Sequence, residues 1–290
     1  MRVARHAFAL ANAHLPRYSH RYSPKTFTQP QLFVCLVLKT FFGMDYRGLV
    51  ELLKDFDAMQ SYLGLSHVPH FTTLQKASCR LLRTATAKEL FRGVVRRFLG
   101  RKFRLKLAAM DSTGLDLGRR SAYYVRRRQA GKPGKKRVLY SRYAKLEASF
   151  DCKSHLILAA SVGRGPQPDI NRFVPLLDAT LELARPQSML ADAGYDSEGN
   201  HRHARVTRGV RSFMPAKHGR PTTKLPTGKF RRQMKQRLNK NYGKYGQRWQ
   251  AETGFSMIKR CIADTIQGRS YWSQCRELWL LVITYNIMLL

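Results

Sequence analysis

Three acidic residues stand beside apolar segments, where an unpaired charge is costly. Asp111 follows Ala108-Ala109-Met110, Asp192 follows Met189-Leu190-Ala191, and Glu252 is the first acid after 53 residues without one. A carboxylate in such surroundings is usually paired, hydrogen-bonded or bound to metal. Three converging carboxylates would suit Mg²⁺, which prefers oxygen ligands and keeps waters for substrate oxygens. Two such ions about 4 Å apart can activate the attacking oxygen and stabilise the leaving oxygen in phosphodiester chemistry.

Each acid also has an ordinary structural explanation. Asp111 could end its strand and cap a turn. Asp192 could cap the following helix, although Asp196 and Ser197 stand directly before that helix and fit the role better. Glu252 could form a surface pair with Arg248 four residues away, worth a few tenths of a kcal/mol. These alternatives stay open on the residues alone.

Glu252 has further polar neighbours on its predicted helix. Four residues follow at intervals of 3, 4 and 7, which places them on one helical face: Tyr245, Arg248, Glu252 and Lys259. An adjacent apolar stripe would seat this helix on a sheet, formed by Ala251, Phe255, Ile258 and Ile262. A surface ion pair between Arg248 and Glu252 explains neither Tyr245 nor Lys259.

The chain is strongly basic, with 53 Lys and Arg against 18 Asp and Glu and a net charge of +35. This excludes an ordinary metabolic enzyme surface and indicates a polyanionic partner. Between Asp116 and Glu147 there are 11 cations and no acid, and between Glu198 and Glu252 there are 15 cations and no acid. Such tracts suggest surfaces that lie along phosphates, although disordered basic loops are the alternative. Interleaved tyrosines favour ordered contact with sugar and base edges: Tyr123, Tyr124, Tyr140, Tyr143, Tyr242 and Tyr245.

The elements that must position these residues fall into two parts. Residues 1–25 are predicted to form a loose basic arm, and 26–100 a helical domain. Apolar residues recur at helical spacing in 32–42, 46–53, 74–82 and 90–98, with Thr72 or Thr73 capping the third helix. A helical domain of this size could bind DNA through one helix or serve dimerisation.

From residue 105 the period changes to that of strands. Strands are predicted at 105–115, 143–150, 155–162, 188–193 and 210–215, with a hairpin turn at 151–154. Helices are predicted at 169–183, 197–208, 247–264 and 276–290, and the basic segment 217–243 is broken by glycine and proline. This order predicts an α/β domain over 101–290, with Asp192 ending a short strand and Asp111 in the second half of another.

Other site types and locations are disfavoured. The five cysteines are scattered and form no C-x-x-C pair, which argues against a zinc site or a disulfide framework and favours a reducing cytoplasm. No signal peptide is visible. The apolar runs 32–42 and 278–290 are shorter than the ~20 residues that span a bilayer, so no membrane association is expected and both are predicted as buried helices.

The chain resembles DDE-class transposases of bacterial and archaeal insertion sequences, which have a ribonuclease H-like core. Met110-Asp111-Ser112-Thr113 resembles the first-aspartate strand of that family, and Leu190-Ala191-Asp192-Ala193-Gly194-Tyr195 resembles its second-aspartate motif. The signature Tyr-x2-Arg-x3-Glu-x6-Lys is present from Tyr245 to Lys259 and is the most specific match. The segment 46–74 resembles the helical N-terminal domain of the same family.

The match has two departures from the family pattern. Family members often carry a lysine or arginine where Ala193 stands. Only 60 residues separate Asp192 from Glu252, so the large β-rich insertion domain of some relatives cannot fit, and a short basic insertion at about 217–243 takes its place.

The resemblance implies a fold, a reaction and site residues. The fold would be a ribonuclease H-like core with a mixed β-sheet flanked by helices, preceded by a helical N-terminal domain. Asp111, Asp192 and Glu252 would be the catalytic residues and would hold two Mg²⁺ ions, with Mn²⁺ able to substitute. Water would attack the phosphodiester at the element's end, and the freed 3′-hydroxyl would attack target DNA. Tyr245, Arg248 and Lys259 would bind the DNA backbone near the cleavage point.

The implied partners are double-stranded DNA of the transposon terminal inverted repeats and of the target, with a homodimer expected in the DNA complex. The expected location is the prokaryotic cytoplasm, in association with the nucleoid. One alternative is a transposase-derived DNA-binding protein without catalytic activity, and another is a ribosome- or RNA-associated structural protein. A Mg²⁺-dependent nicking assay separates these alternatives.

Overall fold

The computed structural model describes residues 1–100, 103–118, 142–217, 224–238, 240 and 242–290, and residue 242 by its backbone alone. The chain divides into two compact units. Unit 1 comprises Met1–Phe103, Met257–Ala263 and Arg276–Leu290, and unit 2 comprises Arg104–Ser256 and Asp264–Cys275. Most of the first acid-free tract, including Tyr123, Tyr124 and Tyr140, lies outside the described residues, as does 218–223 of the expected basic insertion.

Unit 1 is helical, as the sequence predicts. Its first six helices are α1 (Arg2–His14), α2 (Gln29–Phe41), α3 (Tyr46–Lys54), α4 (Asp57–Leu63), α5 (Phe71–Leu81) and α6 (Thr84–Leu99). A capping box between Thr28 and Gln31 starts α2, and Asp45 caps α3. The cap of α5 is His70 and not Thr72 or Thr73, because the His70 ring nitrogen accepts the Thr72 N–H.

Helix α1 corrects the expectation of a loose arm at the start of the chain. Residues 2–14 are helical and bury Ala4, Ala7, Leu10 and Ala11. This helix contacts α2 and α6. Its buried side consists largely of small alanine side chains among basic residues, which a composition-based expectation of a loose arm does not weigh.

Unit 2 contains a mixed sheet. Its strands are β1 (Leu107–Leu117), β2 (Tyr143–Asp151), β3 (Ile157–Gly165), β4 (Ser188–Ala191), β5 (Arg211–Phe213) and β6 (Thr265–Ile266). The order is β3-β2-β1-β4-β5, and β6 pairs with the end of β1. Strand β2 runs antiparallel to β1 and β3, whereas β4 is parallel to β1 and β5 is parallel to β4.

Helices cover the sheet of unit 2. Helix α7 (Phe173–Leu181) contacts β2 and β3, after a 3₁₀ turn at Asp169–Arg172. Helix α8 (Glu198–Arg202) continues into a π-helical turn at His203–Thr207. The mixed sheet flanked by helices and the helical N-terminal region confirm the predicted α/β class and its order of elements.

The C-terminal part of the chain adds four helices to the described structure. These are α9 (Lys229–Arg237), α10 (Tyr242–Gly246), α11 (Trp249–Cys261) and α12 (Tyr271–Leu289). Helix α9 lies in the basic segment 217–243, after the glycines and prolines that break its first part. Helices α11 and α12 each contain residues of both units, which differs from the expected boundary of 101–290 for the second domain. The domains as functional assignments remain predictions.

No helix in the described ranges is long and apolar enough to cross a membrane. The apolar residues of 32–38 and 278–283 are instead buried, as the sequence predicts for both runs.

Candidate active site

Two of the predicted site residues lie side by side on adjacent strands. In the parallel pair of β1 and β4, Met110 is in register with Ala191. Asp111 and Asp192 are each the next residue along, where β4 ends. Because neighbouring strands lie about 4.8 Å apart, the two backbones bring both carboxylates to the same edge of the sheet. This follows from the local sequence, since each acid directly ends a run of buried apolar residues.

Asp111 is largely buried, with 17% of its side chain exposed. Its Oδ1 accepts the Ser112 N–H at 2.8 Å. Burial, together with the negative charges of Asp192 and Glu252, raises the pKa of Asp111 to about 6, against the opposing effects of the Ser112 N–H and Arg248. Asp192 and Glu252 are therefore near enough to Asp111 for their charges to act on it.

Asp192 accepts the Gly194 N–H at 2.9 Å through Oδ1 and so caps the short 3₁₀ turn Ala193–Tyr195. It does not cap α8, which is capped by Ser197 through the Asn200 N–H at 3.0 Å. Asp196 faces away to other partners, since its Oδ2 accepts the Lys217 N–H at 2.7 Å and pairs with Arg231. Of the acids in this segment, Asp192 is the one placed beside Asp111.

Glu252 reaches the same region from helix α11, whose first turn it occupies. Arg248 joins it to β1: its Nη2 lies 2.6 Å from Glu252 Oε1 and its Nη1 lies 3.7 Å from Asp111 Oδ2. The helix is seated on the sheet by Phe255, whose ring lies edge-on to that of Phe150 with centroids 4.9 Å apart. The Arg248–Glu252 pair therefore exists, but it also includes Asp111, which a plain surface pair would not.

The remaining predicted site residues are placed differently. Tyr245 lies on α10 and not on α11, so the expected single helix is broken between them. Burial raises the pKa of Tyr245, and the charges of Asp192 and Asp111 add to this while Arg248 opposes it, which places Tyr245 among the same groups. Lys259 lies on α11 seven residues after Glu252, in the part of that helix that belongs to unit 1.

The carboxylates fit a divalent metal by chemistry, although they do not form a closed ligand cluster. In the part of the chain that the structure describes, no group of three or more His, Cys, Asp or Glu side chains is arranged to hold a metal ion. The donor set is nevertheless all oxygen, and Asp111 is a largely buried carboxylate whose ionised form is disfavoured by burial and by the charges of Asp192 and Glu252, so a bound cation would stabilise it. Arg248, whose guanidinium lies 2.6 Å from Glu252 and 3.7 Å from Asp111, partly neutralises these carboxylates.

A second charged cluster, which we term the Lys145 cluster, consists of Lys145, Glu147, Asp169 and Arg172. Lys145 Nζ lies 3.0 Å from Glu147 Oε1 and donates to Asp169 Oδ1, and Arg172 Nε lies 3.3 Å from Glu147 Oε2. Burial lowers the pKa of Lys145, but its hydrogen bonds to Asp169 and Glu147 outweigh this and raise it.

The Lys145 cluster lies close to Asp192. A methyl group built on Gly194 would meet Asp192 Oδ1 at 3.0 Å and Asp169 Oδ2 at 3.4 Å, so both carboxylates flank this glycine. The buried Tyr195 hydroxyl, which has no hydrogen-bond partner among the described residues, lies within the same field. Burial raises the pKa of Tyr195, and so do the charges of Asp169, Glu147, Asp111 and Asp192. The sequence pattern does not predict this cluster, because Lys145 and Glu147 alternate with apolar residues along their strand.

Comparisons with known proteins identify a family. A family model described as "Transposase DDE domain" matches residues 102–287. Among solved structures, the chain is similar to one described as "Crystal structure of the Mos1 Strand Transfer Complex". That similarity has 13% sequence identity and a TM-score of 0.28, and it covers 92% of this chain and 73% of that chain. No curated protein matches the sequence.

Proposed function

Since the chain belongs to the transposase DDE domain family, whose model matches residues 102–287, we propose that it is a DNA transposase. It cleaves phosphodiesters at the ends of an insertion sequence and joins the freed 3′ ends to target DNA. One observation carries the proposal: Asp111 and Asp192 end paired segments of adjacent strands, and Arg248 joins Asp111 to Glu252. Three acids distant in sequence thus face one space in a chain of net charge +35.

Asp111, Asp192 and Glu252 are the proposed catalytic residues and metal ligands. DDE transposases generally use divalent metal ions, and this donor set would hold two Mg²⁺ or Mn²⁺ ions. When bound, the ions would supply activation of the attacking oxygen and stabilisation of the leaving oxygen. Asp111 contributes from a rigid strand, whereas Glu252 is about half exposed on a helix and so can adjust its position.

Arg248, Tyr245 and Lys259 are the proposed contacts to the DNA backbone. The Arg248 guanidinium can exchange its two carboxylate partners for a phosphate, which it can bind with two hydrogen bonds. Its present pairing with Asp111 and Glu252 keeps a buried acid partly neutralised before DNA arrives. Lys259, about two helical turns after Glu252 on α11, would act as a point charge.

The test is a cleavage assay on DNA that carries the element's terminal repeats. Asp111→Asn, Asp192→Asn and Glu252→Gln should each abolish Mg²⁺-dependent cleavage and strand transfer while leaving DNA binding intact. Chelation of divalent ions should stop cleavage by the unaltered protein, and added Mn²⁺ should restore it.

Asp116→Asn is the matched control for these substitutions. Asp116 is exposed on the same strand as Asp111, and the odd spacing of five residues places it on the opposite face. Cleavage by this variant should remain close to that of the unaltered protein. Nearly full activity in all three site variants would remove the site assignment, and absence of any metal-dependent nicking would favour a DNA-binding protein that has lost catalysis.

The proposed partners are the terminal inverted repeats and target DNA, bound by a homodimer in the cytoplasm in association with the nucleoid. Two element ends must be brought together for transposition, and a dimer supplies two active sites for them. Sedimentation of the protein with and without repeat DNA should show two protomers in the complex. A complex with one protomer would contradict this part of the proposal.

A further inference from the structure

Helix α9 presents a row of cations to solvent. Lys229, Arg232 and Lys235 are all exposed and follow one another every three residues. They therefore span about 9 Å along one side of the helix at a rise of about 1.5 Å per residue. The opposite side is turned inward, where Met234 is buried and the Phe230 ring lies 5.4 Å from the Arg205 guanidinium.

An internal ion pair fixes α9 to the rest of unit 2. Arg231 Nη2 lies 2.8 Å from Oδ2 of Asp196, whose side chain is fully buried. The same guanidinium donates to the Lys217 carbonyl at 2.9 Å. The buried Asp196 carboxylate thus receives both the Arg231 guanidinium and the Lys217 N–H. A charge-assisted contact of defined geometry of this kind attaches α9 to unit 2 through its inner side.

A second acid holds the first turn of α9. The carboxylate of Glu198, on α8, accepts the Phe230 N–H at 3.1 Å and the Arg231 N–H at 3.2 Å. The preceding residue, Gly228, has φ +97° and provides no side-chain cap. A carboxylate from another element thus replaces the missing N-cap and favours the positive end of the helix dipole.

These attachments leave the outer side of α9 with cations alone. Asp196 and Glu198 are the acids nearest in sequence before it, both are engaged on its inner side, and no acid follows until Glu252. Like charges three residues apart destabilise a helix, so this arrangement contradicts the local rule for a stable surface helix. Such contradictions are expected where a surface serves a ligand, here a polyanion.

We propose that the exposed side of α9 binds the sugar-phosphate backbone of duplex DNA without regard to sequence, outside the proposed cleavage site; this inference rests on the proposed function. Duplex DNA carries one charge per about 1.7 Å of its axis, so three cations over about 9 Å can face consecutive phosphates. Single-stranded nucleic acid is bound through aromatic stacking, and the only aromatic residue of α9, Phe230, is on the inner side. None of the exposed large apolar side chains in the described ranges belongs to α9, which disfavours a lipid surface.

The test compares the salt dependence of binding to a random-sequence DNA duplex. The triple variant Lys229→Gln, Arg232→Gln, Lys235→Gln should reduce the slope of log K against log salt by about 3, because each phosphate contact contributes about 0.9. The control triple variant removes the same charge from exposed residues of the same unit: Lys153→Gln, Arg202→Gln and Arg211→Gln. Its slope should change by less than about 1. Because all six side chains are exposed, thermal unfolding should show both variants folded.

The outcomes separate this inference from the proposed function. A steep slope for the unaltered protein, reduced only by the α9 variant, supports the inference. The inference would be overturned if both variants reduced the salt slope of DNA binding equally, or if the α9 variant left that slope unchanged. In either case metal-dependent cleavage would remain as the evidence for a transposase. Loss of binding to structured RNA with unchanged duplex DNA binding would also overturn it. An unaltered protein that binds no DNA at all would overturn both proposals.

Discussion

Lys145 carries a buried charge whose three donor positions are all used within unit 2. Its ammonium group donates to the Gln167 carbonyl at 2.6 Å and to Asp169, and it lies 3.0 Å from Glu147. The substitution Lys145→Gln would leave Asp169 without this cation and Glu147 with Arg172 alone, and loss of one partner of a buried ion pair costs about 3 kcal/mol or more. We expect urea unfolding to show a loss of this size.

The control for Lys145 is Lys153→Gln, at an exposed position in the β2–β3 hairpin. A surface substitution of this kind should change the free energy of unfolding by no more than about 0.5 kcal/mol. If Lys145→Gln were equally mild, the cluster would contribute no net stability. The double variant Lys145→Gln with Glu147→Gln should recover part of the loss, because it removes both charges.

Asp196 should make stability depend on pH. Burial opposes its ionisation, but the facing His201 and Arg231 and the Lys217 N–H outweigh burial and lower the pKa of Asp196. A lowered pKa in the folded state gives stability that is present above the unfolded value of about 3.9 and is lost as pH falls through the folded pKa. The difference in unfolding free energy between the unaltered protein and Asp196→Asn should therefore be large at pH 7 and shrink below about pH 4. A difference that is constant over this range would contradict the assignment.

Sequence patterns could identify the three acids but not the Lys145 cluster, for a physical reason. Asp111 and Asp192 each follow a continuous apolar run, so the charge stands out. Lys145 and Glu147 alternate with apolar residues in β2, a pattern typical of a strand with one solvated face. That face is covered by the segment that carries Asp169, more than 20 residues away, and by α7, whose Thr180 hydroxyl lies 2.6 Å from that of Ser149. The burial of Lys145 therefore depends on a partner distant in the sequence, which a local pattern does not contain.

At the scale of elements, the seat of α11 on the sheet depends on Gly254. A methyl group at this position would meet the Phe150 ring at 2.5 Å. Alanine in a helix is otherwise favourable by about 1 kcal/mol relative to glycine. We expect Gly254→Ala to displace α11 from β2, to lower the unfolding temperature, and to reduce cleavage by moving Glu252 away from Asp111.

Gly243→Ala is the control for that prediction. Gly243 also lies in a helix, α10, and a methyl group there would meet nothing within 4 Å. This substitution should leave the unfolding temperature unchanged or raise it. An equally harmless Gly254→Ala would show that α11 can shift without affecting the site.

The elements that the sequence could not predict lack local signals. The expected helices and strands of unit 2 carry clear apolar periods, and the sheet follows them. Helix α9 has a basic sequence without a cap of its own, and it is stabilised by Glu198, which lies 32 residues before Phe230, whose N–H it accepts. Arg248 lies in the break between α10 and α11, so it shares no helix with Tyr245 although their spacing fits one helix. Periodicity detects a face, but it does not detect a partner that is distant in the chain.

At the scale of the whole molecule, the net charge of +35 acts against the folded state. Like charges repel more strongly in a compact chain than in an unfolded one. Salt at 0.5 M screens such repulsion beyond a few ångströms, whereas buried pairs such as Asp196–Arg231 are screened much less. We therefore expect the unfolding temperature of the free protein to rise between 0.05 and 0.5 M sodium chloride, about ten-fold in salt. A fall would mean that surface ion pairs outweigh the repulsion.

The effect of salt should reverse when DNA is bound. At a free DNA concentration of about 100 times Kd, binding to the folded state adds about 2.7 kcal/mol to the free energy of unfolding. Added salt weakens the binding steeply, so the added stability at fixed DNA concentration should disappear over the same range in which the free protein gains stability. Thermal unfolding with and without a duplex, across that salt series, should give two curves that converge at high salt. Curves that stay parallel would show that phosphate contacts do not dominate the interaction, because a gain that salt does not remove cannot come from the release of counterions.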